Sequence, residues 1–361
     1  MRILFLANDD EGLYKFRKEL IETLLKDNDV FISLPYGKYV ENLKDMGCHY
    51  IQTEFERKGT NPFKDIKLIS FYKKIIKDTK ADVVLTYTVK PNVYGGLACQ
   101  ATNTPYLVNI TGLGSALENS GVLQKILIVL YKLGLRKAKK VFFQNETNRD
   151  FMINKNIVSK EKTTIIPGSG VNLNEYKLLD YPSNETTDFV YIGRIMEEKG
   201  FGQYIDAAKF IRNKYPNTRF HICGAYEDDY RQEVEQLVKD DVVIYHGSVK
   251  NMIDIYSIIQ CTIHPTYYPE GLSNVLLESL ACGRPIITTD RPGCKEVVED
   301  GINGFIVKQK DSEDLIKQIE KFLNLSLVER KQLGINGRNK VERVFDRNIV
   351  INTYLEELRN I

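Results

Sequence analysis

The chain has 361 residues, 43% hydrophobic and 27% charged, with 24 Gly and 11 Pro; this is a globular composition, and its length suits two domains better than one core. Lys and Arg number 50 against 48 Asp and Glu, a net charge of +2, so no bulk field draws nucleic acid and a charged ligand must be met locally. Six scattered cysteines without a Cys-x-x-Cys, and four histidines without an i, i+4 pair, set aside a structural zinc site and read as reduced core thiols.

Acids begin after five apolar residues at the start of the chain, too soon for a secretory signal. No run reaches eighteen apolar residues, so a cytoplasmic protein is expected. Apolar, β-branched runs at 3–7, 30–34, 83–87, 106–110, 141–144 and 164–166 predict strands, and amphipathic stretches at 14–26 and 62–77 predict helices between them. The segment 122–135 is an apolar helix that runs into Arg136, Lys137, Lys139 and Lys140. It reads either as a core helix whose terminal cations complement its dipole or as a peripheral contact with an anionic membrane. A polar stretch at 177–188 then breaks the pattern. The alternation restarts with strands at 189–192, 219–223, 242–245, 262–264, 285–288 and 305–307, and helices at 202–214 and 311–323. Buried strands alternating with helices predict parallel sheets covered on both faces. The expected architecture is α/β, with two Rossmann-like doubly wound domains at 1–178 and 186–345 that turn their strand C-termini to a shared cleft.

Two motifs carry chemistry. In His264-Pro-Thr-Tyr-Tyr-Pro-Glu270-Gly271-Leu272-Ser273-Asn274, a strand ends in a loop and a buried helix begins, with Ser273 or Asn274 as its cap. The unsatisfied N–H groups of such a helix start favour an anion. Glu270 and Glu278 can then serve the two ends of an extended polar ligand. Taken singly, each acid also reads as an ordinary loop or surface residue; the glycine turn, helix start and spacing together favour the ligand. The second motif is Gly193-Arg194-Ile-Met-Glu-Glu-Lys199-Gly200. Its two cations around a strand–helix turn can clamp a diphosphate, Arg194 as a fork and Lys199 as a point charge, although such a pair can equally be surface charge. His221 and His264 sit in predicted strands and read as core or supporting groups. No Gly-x-Gly-x-x-Gly follows the first strand, which disfavours a dinucleotide oxidoreductase.

These two motifs, with Ala281-Cys-Gly-Arg-Pro285, Gly293-Cys-Lys-Glu-Val-Val298 and Gly301-Ile-Asn-Gly-Phe305, resemble the retaining GT-B glycosyltransferases of family 4. The first half resembles a narrower bacterial surface-polysaccharide subgroup through Tyr14-x-Phe16-Arg17, Asn61-Pro62-Phe63, Lys90-Pro-Asn-Val-Tyr-Gly95 and Thr111-Gly-Leu-Gly-Ser115. The resemblance implies a nucleotide-sugar donor, UDP-linked, with Arg194 and Lys199 on its diphosphate and Glu278 on its ribose. Glu270 would grip the transferred sugar, and the backbone of Gly193, Gly271, Leu272 and Ser273 would lie beside sugar and phosphate. The Gly12 loop would approach the diphosphate from the first domain. Many family members have a histidine after the 106–110 strand; here the loop lacks one, and Lys90 and Thr111 are candidates for its place on the acceptor side. The implied acceptor is a glycan on a polyprenyl diphosphate in capsule or O-antigen assembly, at the inner face of the plasma membrane. Cations and helix N-termini can stabilise the departing phosphate without a divalent metal. The chain reads as lacking an Asp-x-Asp, so no metal or other cofactor is expected. A final helix, within 346–361, would cross back onto the first domain. Two rival readings stay open, a nucleotide-sugar epimerase of the same fold and a non-catalytic nucleotide-sugar-binding subunit.

Overall fold

The computed structural model describes residues 1–53, 62–183 and 185–361; Asn61 of the motif Asn61-Pro62-Phe63 and Asn184 of the polar stretch 177–188 lie outside them. The chain divides into one unit of Met1–Ser169 with Asn348–Ile361 and another of Gly170–Arg347.

In the first unit seven parallel strands, β1 Arg2–Leu6, β2 Asp29–Leu34, β3 His49–Gln52, β4 Val83–Tyr87, β5 Tyr106–Ile110, β6 Lys140–Phe143 and β7 Thr163–Ile165, are ordered β3-β2-β1-β4-β5-β6-β7. Every residue of β4 and β5 is buried, because helices cover both faces of a parallel sheet. β3 was not among the predicted strands. It is an edge strand of sequence His-Tyr-Ile-Gln with no fully buried residue, so it lacks the apolar run that marks the central strands.

The closing helix, Arg347–Arg359, places Tyr354 and Leu358 in the core of this unit. There the Tyr354 hydroxyl bonds Asn109 Oδ1, its ring lies 4.7 Å from that of Phe142, and Lys140 meets Glu357 at 3.2 Å.

The second unit has six parallel strands, β8 Thr187–Ile192, β9 Thr218–Cys223, β10 Ile244–Tyr245, β11 Cys261–His264, β12 Ile286–Thr289 and β13 Gly304–Val307, ordered β10-β9-β8-β11-β12-β13. The connections run one way from β8 through β9 to β10 and the other way from β11 onward. The topological switch point, where open α/β sheets bind ligands beyond the strand C-termini, therefore lies between β8 and β11.

The unit boundaries differ from 178 and 186. The polar stretch and the residues before it are packed on the second unit: Leu179 N–H donates to Cys282 O, Tyr181 Oη to Gln260 O, and the buried Arg284 guanidinium to Asp180 O at 2.7 Å. The chain enters this unit at Gly170 and leaves it at Arg347, and the two points form a tight crossing. Gly170, at φ +64°, abuts the backbone of Arg347 so closely that a Cβ would sit 2.5 Å from Arg347 Cα.

Candidate functional site

β8 and β11 are hydrogen-bonded neighbours, with Phe189 beside Cys261 and Val190 beside Thr262. The loops leaving their C-terminal ends therefore meet. The β8 loop is held by Gly193 N–H to Cys223 O and Ile195 N–H to Ala225 O, and runs through a short 3-10 turn, Glu197–Lys199. Gly200 follows at φ +74°, and a Cβ there would lie 2.1 Å from Pro265 O. This position needs glycine twice, for its left-handed backbone and for the close approach of the β11 loop. Further bonds tie the loops together, from Tyr267 N–H to Glu198 O at 2.9 Å and from Thr266 Oγ1 to the same carbonyl at 3.4 Å.

Three of the predicted side chains are brought together here. Lys199 Nζ bonds Glu270 Oε1, and each side chain is only 13% exposed. The Tyr268 ring lies under both cations, 5.0 Å from Lys199 Nζ and 5.1 Å from Arg194 Cζ. Arg194 stays 43% exposed and meets Glu227 at 3.3 Å, so its fork remains within reach of solvent-borne ligands. Burial opposes ionisation of Glu270, but the Lys199 ammonium and His264 outweigh it and hold the carboxyl well below the usual carboxylate range. His264 is 1% exposed, with Nε2 3.2 Å from Ser273 Oγ and 3.8 Å from Glu270 Oε1.

The helix after the glycine turn spans Asn274–Ala281. Ser273 occupies its cap position, yet its side chain makes no capping bond, because the hydroxyl is turned to His264. The helix start thus keeps its positive end without a side-chain cap. Residues 276, 277, 279, 280 and 281 are buried, while Asn274, Val275 and Glu278 are half-buried. Glu278 therefore lies one turn along the open side of the helix, and its charge is felt by the phenols of Tyr176 and Tyr256.

Several expectations need correction. Gly12 is not in a loop: it belongs to the first turn of the helix Asp10–Leu24, and its N–H is taken by the Asp9 cap at 2.8 Å. The Gly193 amide bonds Cys223 O at 3.0 Å and the Ser273 amide bonds Gly293 O at 2.9 Å, so of the four backbone positions expected beside the ligand these two have their amides already engaged. The chain does contain an Asp-x-Asp, Asp27-Asn28-Asp29, at the strand N-terminal edge of the first sheet, where Asp29 opens β2 and faces Arg2 at 3.9 Å. Among the described residues no group of three or more His, Cys, Asp or Glu is gathered as a metal ligand set. Lys90 is half-buried just beyond β4 and Thr111 is exposed just beyond β5, both at strand C-termini of the first sheet. His221 is buried in β9, bonded to Asp188 and His246 at 2.9 Å each, away from the Glu270 pocket.

Glu227 was not singled out in the sequence, and Tyr268 was read there only as one of two adjacent tyrosines, with Tyr267, able to line the cleft. Nothing in a chain with 21 tyrosines distinguishes one, and Glu227 reaches Arg194 only because the β8 and β9 loops are adjacent.

Comparison with known proteins finds relatives along the whole chain. The profile of "Glycosyl transferases group 1" matches residues 181–340, and that of "Glycosyl transferase 4-like" matches 2–145. The N,N'-diacetylbacillosaminyl-diphospho-undecaprenol alpha-1,3-N-acetylgalactosaminyltransferase of Campylobacter jejuni is 26% identical over 99% of this chain and 98% of its own. The UDP-Gal:alpha-D-GlcNAc-diphosphoundecaprenol alpha-1,3-galactosyltransferase of Escherichia coli is 26% identical over 78% of each. An Anabaena protein solved in complex with UDP and glucose superposes with a TM-score of 0.82 at 18% identity, covering the whole of both chains. The two halves of the chain are matched in order by these profiles, and the chain is a glycosyltransferase of the GT-B fold.

Proposed function

We propose that the protein transfers a hexose or N-acetylhexosamine from a UDP-sugar, with retention of configuration, to a glycan carried on a polyprenyl diphosphate in surface-polysaccharide assembly. The observation that carries this reading is the buried Lys199–Glu270 pair with Arg194 beside it, at the switch point of the second sheet and next to a helix start without a side-chain cap. A cation pair and an open helix N-terminus suit a diphosphate, and an ionised, half-enclosed carboxylate suits sugar hydroxyls.

As the glycosidic bond breaks, negative charge grows on the leaving diphosphate and positive charge on the anomeric carbon. Arg194 and Lys199 neutralise the first, so they lower the barrier by acting more strongly on the transition state than on the bound donor. Glu270, held ionised, accepts hydrogen bonds from the transferred sugar, and Glu278 from the ribose. No divalent metal is required in this scheme. The two relatives named for diphospho-undecaprenol acceptors support a lipid-linked acceptor here.

Peripheral contact with an anionic membrane belongs to the same reading. The helix Val122–Leu135 exposes Val122, Ile126, Val129 and Leu133 along one stripe, with Lys125, Lys132 and Arg136 beside it. Residues 122–140 contain no acid. No described helix is long and apolar enough to cross a membrane.

The test is a screen of UDP-hexoses and UDP-N-acetylhexosamines for slow donor hydrolysis. The best donor is then offered a polyprenyl-diphosphate monosaccharide, and the anomeric configuration of the product is read by NMR. Transfer with retention is the expected result; absence of UDP-sugar turnover in the presence of every acceptor refutes the reading.

A further inference from the structure

In the ligand-free protein each of the two cations at the switch point has an acid beside it, Lys199 with Glu270 and Arg194 with Glu227. An acid orients a cation but also neutralises it, so it competes with any anion the cation is to bind. An aromatic face attracts a cation through its quadrupole and brings no net charge to compete. We propose that Tyr268 is the positioning residue for both cations, an uncharged platform that keeps Arg194 and Lys199 in place for the donor's diphosphate. This inference rests on the reading of Arg194 and Lys199 as the diphosphate-binding pair.

One ring serves both side chains: its centroid lies 5.0 Å from Lys199 Nζ and 5.1 Å from Arg194 Cζ, inside the ~6 Å range of a cation–π contact. The platform is itself held. Tyr268 N–H donates to Thr266 Oγ1 at 3.1 Å, and that hydroxyl donates in turn to Glu198 O at 3.4 Å. Glu198 is the neighbour of Lys199 in the chain, so the backbone that carries the ring is bonded to the loop that carries the cations. Thr266 is fully buried, and its carbonyl accepts from Thr289 Oγ1 at the end of β12 at 2.6 Å. On the other side of the ring's residue stands Pro269, which confines the Tyr268 backbone to extended conformations. Lys199 is nearly enclosed and Arg194 half-exposed, so the ammonium has the less hydrated and stronger of the two contacts. Phosphate oxygens can approach either cation from outside the ring face, and neither contact with the ring has to break when they do.

Calorimetric titration with UDP and with uridine tests this on the full chain. Tyr268→Phe keeps the ring and loses the hydroxyl, whereas Tyr268→Leu loses the ring. Phenylalanines bearing one, two and three fluorines, incorporated at position 268, keep the ring's size and withdraw electron density from its face. Expected is an unchanged UDP affinity for Phe and a loss of about 5- to 30-fold for Leu, the scale of a partly desolvated cation–π contact. Across the fluorinated series the affinity for UDP falls stepwise, a gradient that a ring which only fills space does not produce. Uridine, which lacks the diphosphate, binds every variant as it binds the unsubstituted protein. Should Leu fail to fold, the fluorinated series carries the same comparison. The inference is overturned if fluorination leaves UDP affinity unchanged or raises it, if Phe is as impaired as Leu, or if uridine affinity falls together with that for UDP. Failure of the unsubstituted protein to bind UDP would instead refute the proposed function.

Discussion

Replacing Lys199 by methionine removes the ammonium from Glu270 while keeping an aliphatic chain of similar reach. At 13% exposure for both side chains, solvent replaces little of the lost interaction, and breaking such a buried pair from one side costs about 3–5 kcal/mol. His264 remains 3.8 Å from the carboxylate, which argues for the lower end, about 3 kcal/mol. Glu270→Gln should cost less, because the flexible lysine can rotate toward water, whereas the acid is held short of it. The double variant carries neither charge, so its loss should fall short of the sum of the singles by about 2–3 kcal/mol. For a unit of 170–347 each kcal/mol is worth roughly 2–4 °C, so Lys199→Met should lower that unit's melting transition by about 6–12 °C in scanning calorimetry. The pH series supplies a sign. Glu270 is depressed in the folded state, so its stabilisation is present above the ordinary carboxylate value of 4.5 and is lost as pH falls through the depressed one. Without Lys199 the depression shrinks, so the acid-dependent loss should be smaller and complete at higher pH. Additivity of the two single changes within about 0.5 kcal/mol, with an unmoved acid transition, would refute the coupling.

Arg194→Ala should cost about 2–4 kcal/mol of transition-state stabilisation, roughly 30- to 1000-fold in kcat/KM, with little change in melting temperature because the side chain is largely solvated; unimpaired steady-state transfer would remove Arg194 from the leaving-group role. Gly200→Ala should destabilise the second unit by more than about 2 kcal/mol, combining a left-handed backbone with a Cβ driven against Pro265 O, as read by urea unfolding. Ile126→Asp with Val129→Asp should abolish sedimentation with vesicles containing anionic lipid while leaving hydrolysis of the soluble donor intact; vesicle binding equal to that of the unsubstituted protein would exclude this stripe from membrane contact.

What the amino-acid order discloses depends on how local the cause is. Central strands such as Val83–Tyr87 and Tyr106–Ile110 are buried throughout, so their apolar runs announce them, whereas His49–Gln52 at the sheet edge is polar enough to pass for a loop. The placement of Gly12 was also open to local reading: Asp9 caps the helix through the Gly12 amide, and the Asp9-Asp10-Glu11 run is what a helix N-terminus favours. A break placed by composition at 177–188 failed for a different reason. Polar chain can be packed when a distant group meets its backbone, and Arg284 does so at Asp180 from 104 residues away. Arg194, Lys199, Glu270 and Glu278 could be nominated because residue types that would serve a diphosphate and a sugar stand there at strand–helix turns. Their mutual engagement was not. Lys199 and Glu270 lie 71 residues apart, and only the β8–β11 pairing makes the two loops neighbours. His264 follows the same rule: its strand position suggests a core residue, and only the fold sets its Nε2 3.2 Å from Ser273 Oγ and 3.8 Å from Glu270 Oε1. Spacing can thus nominate groups suited to a ligand, but which of them meet is decided where the strands are laid side by side.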